Sequence, residues 1–183
     1  MIEQKMFLRP IILTMLYAAT CMMAENVAGL SLALALEQTN RINGFFRSLF
    51  FVPVLLSPVT VGYIWRGLLD PAGVFNRVLS TILPGIDIKI AWLGIPSITI
   101  FIVALIEAWK WSGFSTLVYI AGLASIPDSF KEAARAEGTN EWYIFWKIKR
   151  PMLAPAFTFN ITITLIGSMN AFDTIMATTR GGP

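Results

Sequence analysis

Histidine is absent from this 183-residue chain, and cysteine occurs once, as Cys21. A single thiol excludes a disulfide framework and a cysteine metal site, and no metal or other cofactor is expected. No Gly-x-x-x-x-Gly-Lys-Ser/Thr phosphate loop occurs, so ATP is not bound through that motif. Charge is scarce too: 14% of residues are Asp, Glu, Lys or Arg, against about a quarter in a soluble domain. The net charge of +3 sits mainly in loops and gives no reason to expect nucleic acid. Internal repeats and low-complexity linkers are missing as well.

What is present is apolar. Hydrophobic residues make up 56% of the chain, and its mean hydropathy is +0.67. Four stretches are nearly free of charge: 10–36, 48–69, 97–122 and 152–172. Each supplies the roughly 20 helical residues that cross a hydrocarbon core. Core helices of soluble proteins rarely run so long without a polar face. The expected fold is therefore all-α, a polytopic bundle of four transmembrane helices. Lys5, Arg9 and the Ala33-Leu34-Ala35 triplet give the first stretch some likeness to a secretory signal. It is too long for a signal core, and three further spans follow it.

Three connections separate the spans. Segment 37–47 is short and polar. Segment 69–96 is mixed, with turns expected at Asp70-Pro71-Ala72-Gly73 and Pro84-Gly85 and an interfacial foot at Trp92-Leu93-Gly94. Segment 124–150 is the most polar and reads as two short helices. Charge does not orient the chain. Arg41, Arg47, Lys131, Arg135, Lys147, Lys149 and Arg150 fall on one side, and Lys5, Arg9, Arg66, Arg77, Lys89 and Arg180 on the other. Such a near balance casts no vote.

The most informative stretch runs from Ser125 to Gly138. Ser125 is suited to cap a helix, Pro127 to its first turn, and Asp128 to the favourable acidic position near its start. Gly138 supplies the left-handed residue that ends it. Phe130, Ala133, Ala134 and Glu137 share a face by helical spacing, offering an aromatic knob, two small residues and an acid. Such a face suits docking into a groove on another protein. A second short helix is expected from Thr139 or Asn140, with Pro151 and Pro155 marking the passage into the fourth span.

Glu132-Ala133-Ala134, Gly138, Phe145, Ile148, Pro151, Leu153 and Pro155 together resemble the EAA loop of ABC importer permeases. Supporting matches are Gly44-Phe45-Phe46-Arg47, Phe51-Val52-Pro53, Ser57-Pro58, Ala121-Gly122-Leu123 before Ile126-Pro127, and Gly181-Gly182-Pro183. These are similar to the maltose-type, carbohydrate-uptake branch. The chain departs from the pattern at Lys149-Arg150, where the family has Thr-Leu, adding positive charge suited to anionic lipid. It also lacks counterparts of the family's first and last spans. Residues 1–183 are accordingly expected to be a partial permease domain, a fragment or a truncated product.

The resemblance implies a multi-pass protein of the cell membrane with 124–150 cytoplasmic. It implies a transport subunit that is not itself an enzyme. Its partners would be separate ATPase subunits, a second homologous permease, an extracytoplasmic solute-binding protein, a carbohydrate solute and membrane lipid. Phe130, Glu132, Ala133, Ala134 and Gly138 would form the coupling helix. No catalytic residue is expected.

Polar residues inside spans are costly and invite functional readings. Asn160, Thr164 and Ser168 share a face of the fourth span with Gly167 and Ala171. That stripe either lines a solute path or packs against another helix. Glu107 and Lys110 are spaced to pair on one helix, and Glu25-Asn26 forms a polar break in the first span. A permease for a non-sugar solute and an ion-coupled transporter using Glu107 and Lys110 as a relay are the competing functions. A structural membrane subunit without a pathway is a third. Dependence of uptake on ATP rather than on an ion gradient separates the transport classes.

Overall fold

The computed structural model describes residues 2–83 and 89–181. The turn expected at Pro84-Gly85 and the terminal Gly182-Pro183 lie outside the described residues. The described residues are helices joined by turns. In order they are α1 (Ile2–Ala35), α2 (Arg41–Leu55), α3 (Pro58–Leu68), α4 (Val74–Ile82), α5 (Pro96–Ala124), α6 (Asp128–Ala136), α7 (Glu141–Ile144), α8 (Arg150–Met152), α9 (Ala154–Met169) and α10 (Phe172–Thr179). A 3₁₀ turn at Trp92–Gly94 precedes α5, and a π-helical turn at Phe145–Lys149 joins α7 to α8.

Among the described residues two helices are each long and apolar enough to cross a membrane alone, Leu8–Ala35 and Pro96–Ala124. The other two expected spans are bent pairs, giving up to four spans if each pair counts as one. The expected second span over 48–69 is one of these bent pairs. That region is α2 followed by α3, turned by 98°. Asn40 starts α2 early by accepting the Asn43 amide on its side chain at 2.7 Å. Pro58 ends the run: it lacks an amide, and it forces the residue before it out of helical geometry. Leu56 and Ser57 are accordingly extended, with ψ of 141° and 140°. A second bend, of 67°, separates Glu141–Met152 from α9.

α1, α5 and α9 form the centre of the bundle. Cys21 reaches the Ala104 carbonyl, Glu25 pairs with Ser115 and Asn26 with Tyr119, so α1 and α5 run the same way. Leu153 packs with Leu123, Asn160 meets Ser115 and Ala171 packs with Val103, so α9 is antiparallel to both. Two apolar clusters bracket this polar layer. One joins Tyr17, Cys21, Val103, Ala104 and Ala171. The other joins Ala33, Tyr119, Leu123, Ile126 and Leu153. The outside is inverted relative to a soluble protein, with Leu8, Ile11, Ile12, Met15 and Val27 exposed along α1. α2 packs on α5 at Gly113, where an added Cβ would lie 2.2 Å from the Phe50 carbonyl oxygen. Backbones come this close in membrane bundles only where a residue is small.

Segment 69–96 holds its turn as expected: the Gly73 amide donates to the Asp70 carbonyl at 2.7 Å. Inside it the sequence concealed α4. α4 carries Asn76, whose buried amide donates to the carbonyls of Asp70, Pro71 and Ile90 and accepts from Trp92 Nε1. α10, likewise unforeseen, packs against α3.

Candidate functional site

Segment 124–150 folds as two short helical pieces, α6 and the α7 to α8 run. The capping role expected of Ser125 is corrected. Its hydroxyl donates back to the Gly122 carbonyl at 2.7 Å, and Pro127 occupies the cap position of α6. The far end behaves as expected. Gly138 has φ of +76°, its amide donates to the Arg135 carbonyl, and the Thr139 amide donates to the Ala134 carbonyl. This pair of bonds is the Schellman closure that a left-handed glycine permits. Asn140 then caps α7 by accepting the Tyr143 amide at 2.8 Å. Arg135 pairs with Glu141 at 2.9 Å across the turn.

α6 is tied to Glu37 through Lys131 and is otherwise largely exposed. Phe130, Glu132, Ala133, Glu137 and Gly138 are exposed, while Ala134 is turned inward and buried. The face expected from spacing is thus split: Phe130, Ala133 and Glu137 point outward together, and Ala134 serves as the seat. Two sets of contacts that sequence reasoning missed gather just past the end of α1. Glu37, just past α1, accepts from Lys149 at 2.6 Å and lies 3.6 Å from Lys131. Arg47 donates to the carbonyls of Leu36, Glu37 and Gln38. A carboxylate and a lysine 112 positions apart leave no local signal in a sequence.

The α9 stripe lies inside the bundle. Asn160, Thr164 and Ser168 are all buried. Asn160 Nδ2 donates to the Ser115 carbonyl at 3.4 Å, but its Oδ1 has no partner. The Thr164 hydroxyl lies near the Glu25 carboxyl without reaching hydrogen-bonding geometry. Ser168 donates to the Leu165 carbonyl and also lines a cavity of about 380 Å³ with Tyr17, Thr99 and Phe172. The Tyr17 hydroxyl there is buried near Cys21, without a partner in hydrogen-bonding geometry among the described residues. Glu25 and Asn26 are engaged by Ser115 and Tyr119, so the polar break of α1 faces the bundle.

Glu107 and Lys110 do not form the expected ion pair among the described residues. Glu107 Oε1 accepts from Trp111 Nε1 at 2.9 Å, and Lys110 Nζ stands 4.0 Å from the centre of a Trp111 ring. The indole four residues after Glu107 takes the carboxylate and leaves the lysine on its π face.

Known proteins share this architecture. A crystal structure of a bacterial ABC transporter involved in import of the acidic polysaccharide alginate aligns with a TM-score of 0.79 at 23% identity. The alignment covers 94% of this chain and 65% of that one. At that identity the likeness speaks for the fold. Among curated relatives, the probable starch degradation products transport system permease protein AmyD of Thermoanaerobacterium thermosulfurigenes is 32% identical over 179 residues. That match covers 97% of this chain and 59% of AmyD. The trehalose/maltose transport system permease protein MalF of Thermococcus litoralis is 31% identical over 160 residues, covering 87% of this chain and 53% of MalF. The chain spans about half the length of the curated relatives it matches. The sequence also matches, over residues 6–182, a family described as the inner membrane component of binding-protein-dependent transport systems. With that match running nearly end to end on a bundle of apolar helices, the chain belongs to the family of binding-protein-dependent transport system inner membrane components.

Proposed function

We propose that residues 1–183 are part of the permease of an ABC importer in the cell membrane, moving a carbohydrate on energy from separate ATPase subunits. In this reading the chain is multi-pass, 124–150 is cytoplasmic, and α6 is the coupling helix. A second permease and an extracytoplasmic binding protein complete the assembly. Support for a carbohydrate comes from the names of the relatives, AmyD and MalF among them. The observation that carries the coupling role is α6 itself. It stands at one end of the bundle with Phe130, Glu132 and Ala133 open to a partner, closed by a glycine turn.

The test uses the full-length permease assembled with its ATPase partners in vesicles. Glu132→Lys reverses charge at an exposed position of α6. A Cβ added at Gly138 meets no atom within 4 Å, so the cost of Gly138→Leu at that atom is conformational. A left-handed leucine costs on the order of 1 kcal/mol locally, too little to unfold the bundle. Both variants should insert normally, hydrolyse ATP, and lose about tenfold in solute moved per ATP, equivalent to ~1.4 kcal/mol. Wild-type uptake per ATP in both would refute the coupling role.

The buried α9 stripe supports a second element of the reading, a solute path along Asn160, Thr164 and Ser168 that opens when the helices part. The unpaired Oδ1 of Asn160 and hydroxyl of Thr164 are the polar groups a sugar would satisfy. Loss of one such hydrogen bond weakens binding by about 0.5–1.5 kcal/mol, roughly threefold to tenfold. Asn160→Ala should raise the solute concentration for half-maximal uptake by that factor with assembly intact. Lower assembly with unchanged solute dependence would make the stripe a packing surface.

A further inference from the structure

We propose that Glu37 is a positioning residue that fastens α6 to both α1 and α9, so that displacement of α6 is passed to the spans. The inference rests on the coupling role of α6 proposed above. Three elements converge on this one carboxylate. Glu37 follows the end of α1, and Arg47 fixes the backbone around it by donating to the Leu36 carbonyl at 2.6 Å and to those of Glu37 and Gln38. Glu37 Oε2 accepts from Lys149 Nζ at 2.6 Å, and Oε1 faces Lys131 Nζ at 3.6 Å. Lys131 belongs to α6 and is also held by Asp128 at 3.0 Å. Lys149 closes the π-helical turn that leads through α8 into α9.

Burial separates this pair from an ordinary surface ion pair. The Lys149 and Lys131 side chains are 9% and 12% exposed and that of Glu37 is 23% exposed. Salt screens charges in such a setting far less than on an open surface. The π-helical turn contributes too. One wide turn changes the angular register of the residues that follow, a device that recurs at functional positions. Lys149 is thereby buried against Glu37, while its neighbours Arg150 and Trp146 are exposed and stack on each other. Lys149 is also one of the two positions where the chain departs from the EAA pattern it resembles, so the clasp is no part of that pattern. Among the described residues α6 has no other charged tie towards α1: Lys131 with Asp128 lies within α6, and Arg135 with Glu141 leads to α7.

The test uses the full-length permease with its ATPase partners in vesicles, comparing Glu37→Gln, Lys149→Gln and the double variant with Glu132→Lys alongside. Each single variant should lower solute moved per ATP by about threefold, as loss of a partly exposed ion pair would. The double variant should be no worse than either single, because both remove the same contact. Spin labels at Ser129→Cys on α6 and Thr158→Cys on α9 give a readout independent of transport. Their distance distribution should be narrow in the parent and broad in Glu37→Gln. An unchanged distribution overturns the proposal, as do single effects that multiply in the double variant. Wild-type coupling in Glu132→Lys refutes the coupling reading instead, and the label distances then still decide whether Glu37 positions α6.

Discussion

Gly113→Ala is expected to destabilise the bundle, although alanine is the better helix former. In an open helix that exchange gains about 1 kcal/mol. Here the new methyl would sit 2.2 Å from the Phe50 carbonyl oxygen, 2.8 Å from its carbon and 2.9 Å from the Phe51 Cα. Those atoms are backbone of α2 and have no rotamer to escape into, so α2 and α5 must separate. Overpacking costs 1–3 kcal/mol where side chains can adjust, and about 3 kcal/mol or more is expected here. Gly67→Ala is the control: nothing lies within 4 Å of its added Cβ, and it should be neutral or stabilising. Size-exclusion profiles in mild detergent and thermal midpoints followed by tryptophan fluorescence report both. A Gly113→Ala protein as stable as the Gly67→Ala control would show that the α2–α5 contact is looser than described.

Asn76→Leu should open segment 69–96 while leaving the spans in place. The Asn76 side chain is 1% exposed and serves three carbonyls and one indole. Leucine has a similar size but no polar atom, so Trp92 Nε1 and the carbonyls must find water. The local cost is about 3 kcal/mol, since several part-buried hydrogen bonds of about 1 kcal/mol each are lost together. Trypsin cleavage at Arg77, exposed on α4, should accelerate about a hundredfold if it follows the open population. An unchanged cleavage rate would mean that α4 is held by its apolar contacts alone.

These contacts also mark the limit of what the sequence made legible. Charge-poor runs marked the two long apolar helices and the two bent pairs that stand as candidate spans, because lipid demands uniform apolarity over a fixed length. The two short helices of 124–150 were legible from Gly138 and Asn140, whose backbone and capping roles are local. The break at Ser57-Pro58 was present in the letters, but hydropathy is blind to direction and read one span across the corner. α4 and α10 escaped notice because their helices are secured by neighbours: Asn76 by distant carbonyls, and α10 by packing on α3. In the site, spacing brought out Phe130, Ala133 and Glu137 together, yet only packing could tell that Ala134 turns inward. The pairing of Glu37 with Lys149 depends on how α1 and α9 meet, which no window of sequence contains.

The corner between α2 and α3 has one more consequence, in hydration. In an unbroken helix the Val54 carbonyl would meet the amide four residues on, but residue 58 is proline and has none. Acyl chains offer that oxygen no donor, and leaving it bare in hydrocarbon costs several kcal/mol. That oxygen therefore belongs against water or against polar atoms, within this chain or of another polypeptide. A helix pair that looks like one lipid-facing span by composition thus has a band, at residues 54–58, where lipid is the wrong solvent.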